Sequence, residues 1–330
     1  MTSSRNRAHD RAQNRAQNRA HNRAQNQRGV AVVVAVLVVA LATSTATYIL
    51  WHQSLWVRQV ENLGARAQAD AIARAAAAWA AAILAEDDPA IDHLGEAWAR
   101  RIPPVPAERA ELTGTIADEQ AKFNVNNLAG EAGASAQHVV AFQRLLAALG
   151  LSAALADAVV DWLDADDAVT PPNGAEDPHY LALDPPYRAA NRRVADVAEL
   201  ARVKGFDAAV LARLEPYVTA LPAETPVNVN TAPPAVLRAI VPGLGPDDVS
   251  RIVERRRQRP FASRDEFVRL LPARPTAPID ALVDVRSRYF RADATVRLGR
   301  VTAGYRALFE RPERDGRASP TLVAFTHVAI

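Results

Sequence analysis

The sequence predicts an α+β protein in which a long N-terminal helix packs on an antiparallel sheet, and a large all-α domain interrupts the chain between the strands. Three observations support this class. An uncharged apolar run near the N-terminus continues at helical spacing to Ala85. Both flanks of the remaining chain alternate like strands, and about 150 residues between them carry helical periodicity. A helix covering one face of a sheet accounts for both flanks.

The N-terminal helix begins with a segment that is long enough to cross a membrane. Val30–Trp51 contains no charged residue in 22 positions, which suffices for a hydrocarbon core of about 30 Å. Residues 1–29 contain seven arginines and a single acid, Asp10, and this bias predicts a cytoplasmic N-terminus. The leader repeats a four-residue polar pattern without any apolar residue larger than alanine, so we expect it to be disordered.

A cleaved secretory signal peptide is the alternative interpretation of this segment. Small residues near Ala42–Thr47 could form its cleavage site. Against it, the amphipathic pattern does not break after the apolar run and ends only at Glu86-Asp87-Asp88-Pro89. The pattern therefore favours one helix of about 55 residues over a short, removable segment.

Alternation and periodicity predict the elements of the body. A strand–turn–strand element is expected over 112–128 after a loop containing Pro103, Pro104 and Pro106. Three strands are expected at 289–298, 301–309 and 321–329. The helical middle is expected to contain these segments: Val139–Leu149, Leu151–Leu163, Val197–Val203, Val210–Val218, Ala235–Ile240 and Val249–Arg256.

A cluster of acidic residues marks one loop of the helical region. Crowded carboxylates repel one another unless a cation lies between them, and oxygen ligands with Gly and Pro turns suit Ca²⁺. The spacing differs from that of an EF-hand loop. A solvated acidic loop whose aspartates cap helices is the alternative. The candidate residues are Asp161, Asp164, Asp166, Asp167, Glu176 and Asp177.

A second motif, Ile240–Ile252, matches a helix-hairpin-helix turn, which can hold a phosphate at a helix N-terminus. Arg255, Arg256, Arg257 and Arg259 follow it and could extend a nucleic-acid contact. Asp247 and Asp248 stand where a phosphate would approach, and the second hairpin, at Gly205–Asp207, is not basic. A hairpin used for packing is therefore the favoured interpretation.

Two further observations limit the function. The Asn-Val-Asn triplet occurs at 124–126 and again at 228–230, and asparagines that bond their own backbone predict structural turns. The sequence contains no cysteine and no recognisable hydrolase or metalloprotease motif. We therefore expect no enzymatic activity.

The leader resembles that of type IV prepilins, which a dedicated peptidase cleaves after a glycine before the new N-terminus is methylated. The resemblance implies cleavage between Gly29 and Val30. Most members of that family carry glutamate at the fifth mature position, where this chain has Val34. A missing glutamate is the mark of the K-type minor pseudopilins of type II secretion.

The K-type resemblance extends along nearly the whole chain. The acidic loop is similar to the calcium loop of that family, as are Lys122–Leu128 and Tyr187–Asn191. The resemblance implies a structural Ca²⁺ held by Asp161, Asp164, Asp166 and Glu176, with Asp167 and Asp177 as second choices. It also implies an inserted domain of sterile-α-motif-like (SAM-like) hairpins. The implied segments are 1–29 leader, 30–52 transmembrane, 53–86 periplasmic helix, 87–130 first strands, 131–275 helical insertion and 276–330 last strands.

The family's role is expected for this chain. The resemblance implies a subunit at the tip of the pseudopilus that starts or caps assembly and supports protein export. Implied partners are the I-type and J-type minor pseudopilins, the major pseudopilin, the prepilin peptidase and the inner-membrane platform, without nucleic acid. The body would be periplasmic on a single-pass inner-membrane helix. A membrane-anchored DNA-binding protein and a secreted calcium-binding enzyme remain alternatives.

Overall fold

The computed structural model describes residues 3–107, 110–130, 133–272, 279–314 and 317–328, with the side chains of the first helix described from Ala31 onward. Residues 1–67 form one compact unit and residues 68–330 a second. The α-helices are α1 Ser3–Ala85, α2 Ala136–Ala148, α3 Leu155–Leu163, α4 Asp177–Tyr180, α5 Ala208–Leu214, α6 Pro234–Ile240, α7 Pro246–Gln258 and α8 Arg264–Leu270. Four 3-10 turns lie at Glu119–Ala121, Val125–Asn127, Val197–Arg202 and Glu215–Tyr217.

The strands are short except for those of one sheet. In chain order they are β1 Ile102–Ala107, β2 Ala110–Asp118, β3 Phe123–Asn124, β4 Ala129–Gly130, β5 Gly133–Ala134, β6 Val218–Thr219, β7 Val227–Asn228, β8 Val283–Asp284, β9 Tyr289–Leu298, β10 Val301–Glu310, β11 Glu313–Arg314, β12 Arg317–Ala318 and β13 Thr321–Val328.

In the first unit, α1 is apolar and exposed over the segment that was expected to cross a membrane. Ala31–Ala85 is long and apolar enough to do so by length and composition. The hydroxyls of Thr43, Thr45 and Thr47 each donate to a carbonyl four residues earlier, at 2.9, 2.8 and 2.8 Å. These internal bonds satisfy the hydroxyl donors of the three threonines, as a hydrocarbon environment would require.

The helix also includes most of the leader, where the sequence predicted disorder. α1 begins at Ser3, so the expectation was wrong for the backbone of residues 3–29. The repeat is rich in Ala, Arg and Gln, which have high helix propensity, and it contains no proline and no glycine before Gly29. Helix formation therefore did not need an apolar face.

In the second unit, five antiparallel strands form one sheet in the order β1-β2-β9-β10-β13. β2 and β9 lie side by side, with Ala110 opposite Leu298 and Asp118 opposite Phe290. The end of α1 packs on one face of this sheet, where Ala80 and Leu84 contact the central strands. This arrangement confirms the predicted fold class.

The three C-terminal strands lie where alternation predicted them, whereas the N-terminal strands differ. The proline-containing segment is not a loop: it forms β1, an edge strand whose unpaired side tolerates residues without an N–H. The predicted strand–turn–strand element over 112–128 is present only in part: its first half belongs to β2, and its second strand is reduced to the two residues of β3. After Asp118 the chain makes two 3-10 turns, because Asp118 and Asn124 accept bonds from the backbone N–H two residues later at 2.8 and 3.1 Å.

The helices of the middle differ from their predicted bounds. α2 and α7 each begin three residues earlier than predicted, whereas other segments are shorter or of another type. α3 begins at Leu155 rather than at 151, the segment from Val197 is a 3-10 turn, and α5 ends at Leu214. Its core is continuous, and Phe142, Leu145 and Trp162 are among its buried side chains. Each predicted helix therefore has a helical counterpart, but tertiary packing decides its length and type.

The Asn-Val-Asn triplets form structural turns, as predicted. Asn124 and Asn228 accept from Asn126 and Asn230 backbone N–H groups at 3.1 and 2.9 Å. Each triplet also bonds distant segments. The Nδ2 of Asn126 donates to the carbonyl of Leu221, and that of Asn228 donates to Asp118 at 3.1 Å. These bonds connect the ends of the helical middle to the sheet.

Candidate functional site

The candidate site is the acidic loop that follows α3. Asp157 and Asp161 lie one helical turn apart on α3, and Asp164 is the residue that ends it. All three are buried, with Asp161 at 0% exposure. Residues at i, i+4 and i+7 share one helix face, so α3 directs its three aspartates to the same side.

The loop folds back over Asp161. The backbone N–H of Thr170 donates to both carboxylate oxygens of Asp161 at 3.0 and 3.2 Å, and Gly174 N–H donates to the Thr170 carbonyl at 2.8 Å. A Cβ on Gly174 would lie 2.6 Å from that carbonyl oxygen, and it would also clash with Asp161 Oδ2. Glycine is therefore required for this close approach.

The fold brings Glu176 to the same place and leaves it without a partner. Glu176 is 1% exposed, and neither of its carboxylate oxygens has a hydrogen bond; Asp164 Oδ1 is also buried and unbonded. Burial, together with the nearby carboxylates of Asp161 and Asp164, raises the pKa of Glu176 to about 7. Burial likewise raises the pKa of Asp164 to about 6, with a contribution from Asp166.

Asp166 and Asp167 complete the acidic surroundings. Both add to the negative field at Glu176. Asp166 accepts from the backbone N–H of Ala168 at 2.8 Å, and the Asn191 amide donates to Asp167 at 3.4 Å. Asn191 has a positive φ of 45°, a conformation that asparagine tolerates, and its Oδ1 is buried without a partner.

Asp177 has a different environment. It accepts from Arg188 Nη1 at 2.8 Å and from the backbone N–H of Ala189 at 3.0 Å. Its carboxylate therefore already holds a cationic partner, unlike that of Glu176. Of the six sequence-predicted candidates, Asp161, Asp164, Asp166, Asp167 and Glu176 share one electrostatic site.

The residues fit a hard cation chemically. The donor set consists of carboxylate oxygens, and three of these oxygens are buried and unbonded, a condition that costs free energy unless a positive charge compensates. The carboxylates do not yet surround a common centre. Within the described residues, no three of them bring their oxygens within 4.8 Å of one another. Asp157 was not among the predicted candidates, although its spacing of four residues from Asp161 indicates a shared helix face.

Asp87, Asp92 and Glu96 do meet that distance criterion, but they belong to a different structure. Arg311 is fully buried and donates to both Asp87, at 2.6 Å, and Asp92. The guanidinium donates to both carboxyl groups, so this group is a hydrogen-bonded arginine–carboxyl network at the base of the sheet. Sequence patterns do not reveal this network, since Arg311 lies 224 residues from Asp87 along the chain.

The helix-hairpin-helix turn is used for packing. Asp248 accepts from the Gly245 N–H at 3.0 Å and so occupies the N-terminus of α7. Arg255 forms an ion pair with Glu266 at 2.7 Å, and Arg256 donates to the Val229 carbonyl at 2.7 Å. Two of the four arginines proposed for nucleic acid are thus bound within the chain.

The predicted assembly residues lie in α1. Val34 is exposed on the apolar segment. Gly29 and Val30, the predicted cleavage pair, lie outside the residues whose side chains are described. Cleavage there remains a prediction.

The described chain thus combines a long N-terminal helix, a five-stranded antiparallel sheet and a helical insertion with an acidic loop. The fold is similar to a chain in the crystal structure of the GspK–GspI–GspJ complex from the type 2 secretion system of enterotoxigenic Escherichia coli. The TM-score is 0.70 with 23% sequence identity, covering 82% of this chain and all of that one.

Family comparisons agree with this similarity. Two models of type II secretion system protein K match residues 121–223 and 227–286. The protein K of Aeromonas hydrophila is 36% identical over 280 residues, covering 78% of this chain and 85% of the relative. That of Pseudomonas aeruginosa is 40% identical over 214 residues, 63% of this chain and 64% of the relative. The chain belongs to the type II secretion system protein K family, whose members are components of a secretion system.

Proposed function

We propose that this chain is the tip subunit of a pseudopilus and assembles there with I-type and J-type minor pseudopilins. The observation that carries the proposal is the likeness, over 82% of the chain, to a protein solved in a GspK–GspI–GspJ complex. The same likeness extends to the helical insertion, which is absent from a minimal helix-on-sheet subunit. A large insertion on the body leaves little room for a further subunit beyond it.

Val34 supports the same position in the filament. A carboxylate in lipid is costly unless it finds a partner, so a glutamate at the fifth mature position favours docking onto a preceding subunit. Valine carries no such requirement. A chain with valine there is suited to be the first subunit to leave the membrane.

The experiment is co-purification of the full chain with I-type and J-type subunits from the same secretion system, followed by cross-linking in cells. A stoichiometric ternary complex with cross-links only on one side of this chain agrees with a tip position. Recovery of the chain with subunits cross-linked on both sides would contradict it. The variant Val34→Leu serves as the matched control for Val34→Glu, which we expect to reduce export because it introduces an unpaired carboxylate.

We further propose that α1 is a single-pass inner-membrane anchor with the body in the periplasm. Seven arginines before the apolar segment support a cytoplasmic N-terminus. Mass spectrometry of the mature chain tests the leader at the same time. An N-terminus at Val30, with methylation, is expected; a start near residues 43–48 would instead support a secretory signal peptide.

We also propose that the acidic loop holds a structural Ca²⁺. Its main ligands would be Asp161, Asp164 and Glu176, with Asp166 and Asp167 beside them. Asp177 would stay paired with Arg188 and would not be a ligand. The cation would supply the positive charge that lets these buried carboxylates ionise together, linking the loop to α3. Calcium titration calorimetry on the full chain tests the site; absence of binding at millimolar Ca²⁺ would remove it.

A further inference from the structure

Lysine is rare in this chain. Only Lys122 and Lys204 occur among 39 basic residues, all others being arginine. The two side chains differ physically, because an ammonium is a compact donor of three bonds whereas a guanidinium is a wide planar fork. We therefore ask what a lysine does at each of these two positions that an arginine would not.

The Lys204 ammonium lies against the backbone of the acidic loop. Its Nζ donates to the carbonyls of Asn173 and Gly174 at 3.2 and 3.1 Å. These two residues form the bend that crosses Asp161 and precedes Glu176 by two residues. One compact cation thus fixes two consecutive carbonyls at the point where the loop reverses.

The turn that carries Lys204 contacts the loop elsewhere too. The backbone N–H of Lys204 donates to the Tyr180 hydroxyl at 3.3 Å, and the Tyr187 hydroxyl donates to the Arg202 carbonyl at 2.8 Å. Gly205 has a φ of +85°, and a Cβ there would lie 2.6 Å from Leu155 at the start of α3. The turn at 202–205 is therefore held close to both α3 and the loop.

We propose that Lys204 is a positioning residue for the acidic-loop cation site, clamping the 173–174 bend so that Glu176 faces the aspartates of α3. This inference rests on the proposed Ca²⁺ site. It gives the second hairpin turn a role that the sequence left unassigned: its lysine bonds backbone carbonyls of the chain itself. Cation occupancy and the geometry of the 202–205 turn are then coupled.

Chemical labelling of the wild-type full chain tests the coupling without relying on a variant. Acetylation of lysine amines is followed by peptide mass spectrometry in Ca²⁺ and in EDTA. Lys204 is exposed, so its acetylation rate reports its hydrogen bonds. We expect several-fold slower acetylation of Lys204 in Ca²⁺, with Lys122 unchanged as the internal control.

Paired variants give the second measurement. Lys204→Met is expected to lower Ca²⁺ affinity by about tenfold or more, the usual effect of losing a residue that orients metal ligands. Lys122→Met removes the same charge near Glu119 and should leave the affinity unchanged. If Lys204→Met binds Ca²⁺ as tightly as the wild-type chain does, this inference is overturned and the Ca²⁺ site is not. The same holds if Ca²⁺ does not change the acetylation rate of Lys204 in a wild-type chain that binds Ca²⁺. A wild-type chain that binds no Ca²⁺ overturns the cation site and the inference together.

Discussion

The carboxylate of Asp161 and the backbone of Gly174 lie in direct contact, with no room for a β-carbon between them. The contact joins the end of α3 to the bend of the acidic loop, and the two Thr170 hydrogen bonds hold it closed.

Gly174→Ala should disrupt the acidic loop. The added methyl group overlaps the Thr170 carbonyl and the Asp161 carboxylate, and overpacking of this kind costs about 1–3 kcal/mol. Urea unfolding should show that loss, and calorimetry should show weakened Ca²⁺ binding. Gly245→Ala is the control, since its Cβ would meet its nearest neighbour at an ordinary 3.4 Å. Equal stability of the two variants would contradict the proposed loop packing.

Glu176→Gln should change stability in opposite directions with and without Ca²⁺. Without the cation, the variant removes a buried carboxylate that has no partner, so its thermal midpoint should rise above that of wild type. With Ca²⁺ at a hundred times its dissociation constant, wild type gains about 2.7 kcal/mol and the variant should gain much less.

Thermal melts in EDTA and in Ca²⁺ measure both effects. Asp177→Asn is the comparison, because Asp177 is paired with Arg188; it should respond to Ca²⁺ nearly as wild type does. A wild-type midpoint that Ca²⁺ leaves unchanged would count against the cation site.

The stability of the body should fall as pH rises from about 5 to 8, in part through Asp92. Burial raises the pKa of Asp92 from 3.8 to about 8, against the opposing effect of Arg311. The folded chain therefore keeps a proton that the unfolded chain loses near pH 4, and folding is favoured less as pH increases through this window.

Urea unfolding at several pH values measures this dependence. Asp92→Asn cannot titrate, so its stability should vary less steeply with pH than that of wild type. Identical slopes for the two proteins would show that Asp92 ionises at its ordinary pKa when folded.

Arg256→Gln should reduce stability rather than nucleic-acid affinity. Its guanidinium donates to the Val229 carbonyl, and burial lowers its pKa to about 10; losing a buried bond of this type costs about 1–3 kcal/mol. Arg257 is exposed, so Arg257→Gln should change stability by less than about 0.5 kcal/mol. DNA retention that is strong at low salt and lost in Arg257→Gln would instead revive the DNA-binding alternative.

The sequence predicted the elements whose pattern is local. The strands at 289–298 and 301–310 follow from alternation over ten residues and from the turn at Gly299, and α1 follows from an unbroken apolar period. The proline-rich β1 was missed, because its strand character comes from pairing with β2 rather than from its own residues. The 3-10 turns after Asp118 were missed because side-chain caps replaced the expected ladder.

By itself, the sequence determined that this chain has an apolar N-terminal helix, a sheet split by helices and a loop crowded with carboxylates. Only the tertiary structure decided which of those carboxylates lose water without gaining a partner. Glu176 and Asp177 are adjacent, yet one is buried and unbonded while the other pairs with Arg188. Composition and period are local properties of a chain, whereas burial and charge pairing depend on which distant residues the fold brings into contact.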